Sequence, residues 1–559
     1  AEGGGAPAAP AEGGGGGGAP PAAPASPGFH ERFRLWVTTE EHKKFPIGFL
    51  QIAIKFTNEP PEGIKANLSR TYLGITQDFL EICVTFHWRV MLYSLAFLHC
   101  TVQERRKFGP IGWCIPYEFN QSDFNASVQF IQNHLDSLEF KKSQKTSGID
   151  WKCTCYMISE IQYGGRVTDD FDLRLLKTLT RNNFQEAMFS PDYVMVDRYP
   201  IPLLSTVTEY LDYIRNDLPP RDSPEAVGLH ANADITYSTQ TTRHILATIV
   251  SIQPKDASGE GADDDSGGGE NAKPQAAETR ESIVYRLCTE MLNKLPPPYV
   301  DFQVRAQLER LGALQPMTIF LRQEVQRMNK VIKLVLATLT DLRLAIDGTV
   351  VMNENLRMAL DCIFDARVPG FWERTSWESS TLGFWYTELL ERNAQFSGWL
   401  EKGRPPSFWM TGFFNPQGFL TAMRQEISRT HEGWSLDTVV LASKVTRCNV
   451  EELNEPPAEG GVYIYGLYIE GAAWERRSSR LIEAKPKILY EAMPVVHVFA
   501  VQESTTSKKI AESRMPYSCP IYRKPRRTDL KYVASIDLNC TKTPDHWCKR
   551  SVALLCDIK

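Results

Sequence analysis

Cysteine is scarce, at twelve in 559 residues, far too few to staple a chain of this length with disulfides. Long apolar runs are missing as well. The longest, residues 90–98, is interrupted by Ser94 and is too short to span a bilayer. The first 28 residues are rich in Gly, Ala and Pro and contain no apolar signal-peptide core. These absences predict a soluble protein of a reducing compartment, with the sequons at Asn67 and Asn125 unused. Basic excess is lacking too: a net charge of −5 argues against wholesale nucleic-acid binding, which needs a strongly basic face. No G-x-x-x-x-G-K-[ST] phosphate loop occurs. The nearest glycine-rich runs, 109–112 and 164–166, lack the lysine and Ser/Thr that hold phosphates and Mg²⁺. No Ser/His/Asp grouping carries a nucleophile elbow. Catalytic, cofactor and metal residues are therefore not expected in this chain.

Weaker chemical signals point the same way. Cys540, His546, Cys548 and Cys556 carry zinc-ligating atoms, but not in the paired C-x₂-C spacing of structural sites. Cys153 and Cys155, two apart on an expected helix, point to different faces and make no redox pair. Tyr163-Gly164-Gly165-Arg166 reads as a turn with a structural arginine. One basic cluster stands out: Arg523, Lys524, Arg526 and Arg527 with Lys531, flanked by Tyr522 and Tyr532. A solvated hairpin is its simplest reading.

Composition divides the chain, whose length implies three or four domains. Residues 1–28 cannot bury enough apolar surface to offset their ordering entropy and are expected to be disordered, as is the acidic, glycine-rich stretch 255–278. Alternation at 33–39 and a short extended piece at 55–58 predict strands. Helical periodicity follows from about Ser69 to Phe184, with apolar faces at 88–104, 124–135 and 151–163. Thr168-Asp169-Asp170 offers an N-cap and first-turn acids to a helix over 171–184. Further on, Leu321, Val325, Met328, Ile332, Val335, Leu339, Leu342 and Ile346 step by four and three in turn, a heptad seam ended by Asp347-Gly348. The seam is expected to pack inside a helical domain. The alternative is a non-catalytic scaffold that binds a partner helix through 321–346.

Aromatic residues are concentrated at 371–419, where five of the twelve tryptophans fall. Each such ring buries roughly 150–250 Å², so Trp385, Trp399 and Trp409 are expected in a packed core rather than a ligand cage. After Pro456-Pro457 the β-formers at 462–469, 495–501, 533–538 and 552–555 predict a small antiparallel barrel or sandwich.

Several of these strings are similar to a known family. Residues 382–426, with LGFWYTELLERN and PPSFWMTGFFNPQGFLTAMRQE at their heart, resemble the C-terminal region of dynein heavy chains. Glu104-Arg105-Arg106-Lys107-Phe108-Gly109-Pro110 with Gly112-Trp113, and residues 163–170 (YGGRVTDD), resemble motifs of that family's sixth AAA+ module. GVYIYGLYIEGAAWER, YSCPIYRKP and ALLCDIK resemble its closing β-structure and C-terminus. IPYEFNQSDF and FIQNHLD are most similar to axonemal heavy chains of the outer-arm gamma type.

The resemblance implies an α+β multidomain fold. A disordered insertion at 1–28 would precede the end of the sixth AAA+ large subdomain at 29–68. The helical lid would occupy 69–185, a mostly helical C-terminal region 186–455, and a small antiparallel β-barrel 456–559. It implies a ciliary or flagellar motor ATPase, minus-end-directed on microtubules, in the axoneme, cytoskeleton and cytoplasm. ATP and Mg²⁺ would bind upstream in the parent protein and not here. Implied partners are the neighbouring AAA+ modules, other dynein heavy, intermediate and light chains, and the microtubule through a stalk outside these 559 residues; no nucleic acid and no membrane. Placing microtubule binding on that stalk leaves an acidic patch of the same protein as the second reading of the 523–527 cluster. The start at Ala1, without a methionine, fits the C-terminal piece of a larger polypeptide.

Overall fold

The computed structural model describes residues 30, 32–39, 46–56, 61–83, 86–138, 148–190, 192–196, 198–252, 279–502 and 516–558. The stretches expected to be disordered, 1–28 and 255–278, lie outside the described residues. The chain divides into a small unit, Ala1–Glu59, and a large one, Pro60–Lys559. In the small unit residues 33–39 form no strand and pair with no other described strand, and Phe33, Leu35, Trp36 and Val37 are exposed. Alternation supplies propensity only; a strand persists where a ladder of hydrogen bonds holds it. The strand expected at 33–39 is therefore corrected. Lys55 and Phe56 also lack a ladder, and 57–58 lie outside the described residues.

The large unit opens with a helical bundle built around Phe86–Glu104. This helix is apolar nearly all round, and Trp88, Met91, Leu95, Leu98 and Val102 are buried. A helix without a polar face must be covered on every side. Ile64–Leu73, Gln121–Asp136 and Asp170–Asn183 pack against it. Side-chain caps fix where these helices begin. Asn120 and Asp123 form a capping box, and Asp169 accepts from the N–H groups of Phe171 and Asp172 at 2.9 Å. The helix expected over 151–163 is Trp151–Tyr156 continued by a π-helical stretch, Met157–Gln162. Val207–Asn216 joins the same bundle by packing on Ile64–Leu73, with the Tyr72 and Tyr210 rings stacked at 5.0 Å.

A second group of helices surrounds Pro316–Ile346. Leu321, Val325, Met328, Ile332, Val335, Leu339 and Leu342 are each at most 2% exposed, whereas Arg327, Lys330 and Lys333 face solvent. Arg280–Lys294, Glu354–Phe364 and Pro416–Thr430 pack along it. The seam is core, and no open stripe remains for a partner helix.

The aromatic segment locks onto this long helix. Trp372 and Trp377 stack on Trp385 with ring centroids 5.1 and 5.4 Å apart, and the Trp372 indole N–H donates to Thr338 Oγ1 at 3.2 Å. Trp385 and Trp399 are buried as expected. Trp409 is only half-buried, a correction with a simple cause: it ends the strand Ser407–Trp409, which lies at the edge of its sheet. Its indole fits over Gly466 (φ +83°), where a Cβ would come within 2.6 Å of Trp409 Cδ1. Trp385→Ala should cost about 3–5 kcal/mol through the cavity it leaves, and Trp409→Ala distinctly less. Equal losses in urea midpoints would contradict that difference in burial.

Among the described residues the unit also holds two two-stranded sheets and two larger ones. Of the larger two, one runs Ser407–Trp409, Val462–Tyr465, Val496–Gln502, Val439–Val445; the other runs Tyr532–Leu538, Tyr517–Tyr522, Ala553–Leu555, Tyr468–Glu470, Tyr490–Ala492. Two members of the first precede residue 456, so the sheet draws on sequence expected to be helical. Pairing is mixed rather than purely antiparallel: Ser407–Trp409 lies parallel to Val462–Tyr465, and Tyr517–Tyr522 parallel to Ala553–Leu555. The last strand, Ala553–Leu555, occupies the middle of its sheet with all three side chains buried. That placement carries residues 553–555 into the interior.

Candidate functional site

The first helical bundle and residues 549–551 meet at Arg105. The helix Phe86–Glu104 stops at a tight 3₁₀ turn, Arg105–Ile111, where Gly109 takes φ +59° just before Pro110. Gly112 is required by contact: a Cβ there would lie 1.7 Å from the carbonyl oxygen of Arg105. The turn drives the Arg105 side chain inward, to 0% exposure. Its Nε donates to Gly112 O at 3.1 Å. Nη1 donates to Val227 O at 2.5 Å and Lys549 O at 3.2 Å, and Nη2 to Ile111 O at 3.3 Å and Ser551 Oγ at 2.8 Å. No carboxylate is among these partners; backbone dipoles replace water around a fixed fork of donors. Burial lowers its pKa to about 10, so it stays charged at neutral pH. One side chain thus ties three distant stretches of sequence together.

Other contacts reinforce the seam. Arg550 donates to Leu229 O, and Asn232 Nδ2 donates to the carbonyls of Lys485 and Ile488 at 2.8 and 2.9 Å. Arg174, from Asp170–Asn183, donates to Ser518 O at 2.8 Å and lies 5.1 Å from the Tyr517 ring. Part of the basic cluster is buried or paired, which corrects the solvated-hairpin reading for Lys524, Arg527 and Lys531, whereas Arg526 is exposed. Arg527 is buried and pairs with buried Glu470 at 2.6 Å; burial alone would lower its pKa, but Glu470 outweighs burial and holds it above the usual value. Lys524 pairs with Asp557 at 2.7 Å, and Lys531 lies 3.9 Å from Glu378. Arg527 and Lys531 find their acids far along the sequence, which is why adjacency made them look solvated.

The remaining candidates are dispersed. His546 Nε2 lies 2.6 Å from Glu483, Cys548 faces Thr178 at 3.7 Å, Cys540 bridges to Leu481, and Cys556 is buried. Among the described residues, metal-ligating atoms gather within 4.8 Å at Cys114, Asp169 and Asp172. These acids are engaged already, Asp169 as a helix cap and Asp172 as acceptor from Cys114 N and Ile115 N at 3.0 and 3.2 Å. Cys153 is exposed, and Cys155 faces the carbonyl of Phe184 at 3.6 Å. Arg166 closes its turn on Asp123 at 2.8 Å, a structural role.

A second buried ionic group sits in the aromatic core. Arg392 lies 4.1 Å over the Trp377 ring and 3.7 Å from Glu388, and Glu324, 1% exposed, accepts from Phe414 N–H at 2.5 Å. Burial raises the Glu324 pKa to about 7 from an ordinary 4.5. A carboxyl with a raised folded-state pKa holds its proton more tightly when folded. Its contribution is complete below about pH 4.5 and is lost as pH rises through about 7, on the order of 3 kcal/mol in all. Urea melts from pH 5 to 8 should therefore fall more steeply for the natural protein than for Glu324→Gln. Parallel pH profiles would contradict it.

Comparison with known proteins agrees with this architecture. Residues 88–233 match the family model of the AAA lid domain of the dynein heavy chain, and residues 239–556 match that of its C-terminal domain. The sequence is 56% identical over 530 residues to dynein axonemal heavy chain 5 of Mus musculus and 56% identical over 529 residues to dynein axonemal heavy chain 8 of Homo sapiens. It is 41% identical over 544 residues to the dynein gamma chain of the flagellar outer arm of Chlamydomonas reinhardtii. Each alignment covers 95% of the present sequence but only 11%, 11% and 12% of the respective relative. The protein therefore belongs to the dynein heavy chain family, of which it carries the AAA lid and the C-terminal domain.

Proposed function

We propose that this polypeptide is a C-terminal region of an axonemal dynein heavy chain of the outer-arm type, and that its own work is mechanical. It joins the lid of the sixth AAA+ module to the C-terminal domain so that the two move as one stiff body. The observation that carries the reading is Arg105, a single buried side chain bonded to the lid, to residue 227 and to residues 549 and 551. In this reading residues 29–68 end the large subdomain of that module, 69–185 form its lid, 186–455 the helical C-terminal region and 456–559 a small β-barrel. Closure of the barrel is supported by the near approach of Tyr532–Leu538 and Val439–Val445, each at the edge of its own sheet.

The parent heavy chain, on this reading, is a minus-end-directed microtubule motor ATPase of cilia and flagella. ATP and Mg²⁺ bind in its upstream modules, the stalk binds the microtubule, and other dynein heavy, intermediate and light chains are its partners. The 559-residue polypeptide contains no phosphate loop, so once purified it should show no saturable ATP turnover. Turnover that survived repeated purification would refute that part. The mechanical role is tested in the heavy chain with Arg105→Met, which should keep basal ATPase activity and slow microtubule gliding. Gliding at the natural speed would remove the role.

A further inference from the structure

A hairpin of the C-terminal domain carries chemistry that the lid junction does not use. Its strands, Ala473–Glu475 and Arg480–Ile482, pair over three residues as a sheet of their own, and the turn between them reads Arg476-Arg477-Ser478-Ser479. Arg476, Arg477 and Ser478 are exposed, and Ser479 is half-buried. Ser479 holds φ +52°, a left-handed conformation that a residue with a Cβ disfavours, so opening the turn releases strain. The two serines face different charges. Ser478 Oγ donates to a carboxylate oxygen of Glu475, which would repel a further negative group. Ser479 Oγ instead accepts from Arg447 Nε at 3.4 Å, and Arg476 donates to Asn449 Oδ1 at 2.9 Å. Ser479, Arg447 and Lys444 line one open groove of about 840 Å³, whose acids are Glu459 and Asp537.

We propose that Ser479 is a phosphorylation site for an arginine-directed serine kinase, and that Arg447 receives the phosphate. Arg476 and Arg477 stand three and two residues before Ser479, where acidic subsites of a kinase read them as charge-assisted pairs. The Ser479 hydroxyl oxygen attacks the γ-phosphorus of a nucleoside triphosphate held with Mg²⁺ in the kinase. The bond from that phosphorus to the bridging oxygen breaks, the diphosphate leaves, and the hydroxyl proton passes to the kinase's catalytic carboxylate. A group with close to two negative charges then stands where one hydroxyl stood. The Arg447 guanidinium already faces that oxygen and can take two phosphate oxygens side by side, with Lys444 on the same groove. The phosphate would tie the hairpin to the segment that follows Val439–Val445.

The folded, purified protein is incubated with Mg-ATP and the catalytic subunit of cyclic-AMP-dependent protein kinase, as the probe for arginine-directed kinases, and phosphopeptides are mapped by mass spectrometry. A phosphate on Ser479 is expected. Its initial rate of incorporation should fall roughly tenfold or more in the double variant Arg476→Gln with Arg477→Gln. Phosphorylation should raise the melting temperature of the natural protein and leave that of Arg447→Gln unchanged; Arg447 is exposed, so this variant keeps the fold. No phosphate at Ser479, phosphate on Ser478 in its place, or modification that appears only after heat unfolding overturns the site. A phosphate on Ser479 that shifts melting equally in Arg447→Gln overturns the role of Arg447.

Discussion

Replacing Arg105 with methionine is expected to destabilise the protein by about 3–5 kcal/mol. Methionine fills much of the space of the arginine stem, so little of the loss is cavity. What disappears is the fork of donors. The carbonyls of Ile111, Gly112, Val227 and Lys549 and the hydroxyl of Ser551 lose a donor in the interior. Each buried acceptor left unmatched costs about 1–3 kcal/mol. The sum is reduced by what the arginine itself gives up, since burial already disfavours its charge enough to bring its pKa to about 10. Arg105→Lys should recover part of the loss, because an ammonium supplies three donors from one point and cannot span carbonyls on several sides. Urea midpoints of the three proteins check the order, natural protein above lysine above methionine. A methionine variant within about 1 kcal/mol of the natural protein would show that the fork contributes little.

The double change Ile332→Asp with Leu339→Asp is expected to unfold the helical C-terminal domain outright. Both positions are 0% exposed on the inner face of Pro316–Ile346, with helices packed along it. Each substitution removes a large apolar side chain and buries a carboxylate with no cation provided. Leu or Ile to a small residue in a core already costs about 2–5 kcal/mol, and the unpaired charge adds several more. Together they exceed the roughly 5–15 kcal/mol that holds an ordinary domain folded. Circular dichroism and gel filtration decide it. A folded, monomeric double mutant would mean that the seam is a docking surface and not a core.

The contrast between these two sites explains what a sequence can reveal. The seam was legible because its information is local: seven of the eight apolar residues at heptad spacing end up inside one helix packing, and Asp347-Gly348 stops it where expected. Asp169 was legible as a cap for the same reason. Arg105 was visible only as part of a familiar string. Its partners lie 122, 444 and 446 residues away, and nothing about an arginine after an apolar helix says which carbonyls it will meet. Arg527 misled because its neighbours in sequence are cations, while its partner Glu470 is 57 residues distant. The strand Tyr517–Tyr522 was hard to place as an interior strand, since it contains Pro520, a residue that normally marks an edge. Parallel pairing at 407–409 and 553–555 leaves no trace in periodicity. The residues at 33–39 show the reverse case, strong alternation with no ladder among the described residues.

Calorimetry of the natural protein beside Arg105→Met tests most directly whether the lid and the C-terminal domain form one body through this arginine. Polypeptides of several domains usually unfold in separable steps. Here the natural protein should melt in a single transition, with the calorimetric enthalpy equal to the van't Hoff enthalpy, and Arg105→Met should split it in two. Two resolved transitions in the natural protein, or a single one that the substitution leaves undivided, would contradict the coupling.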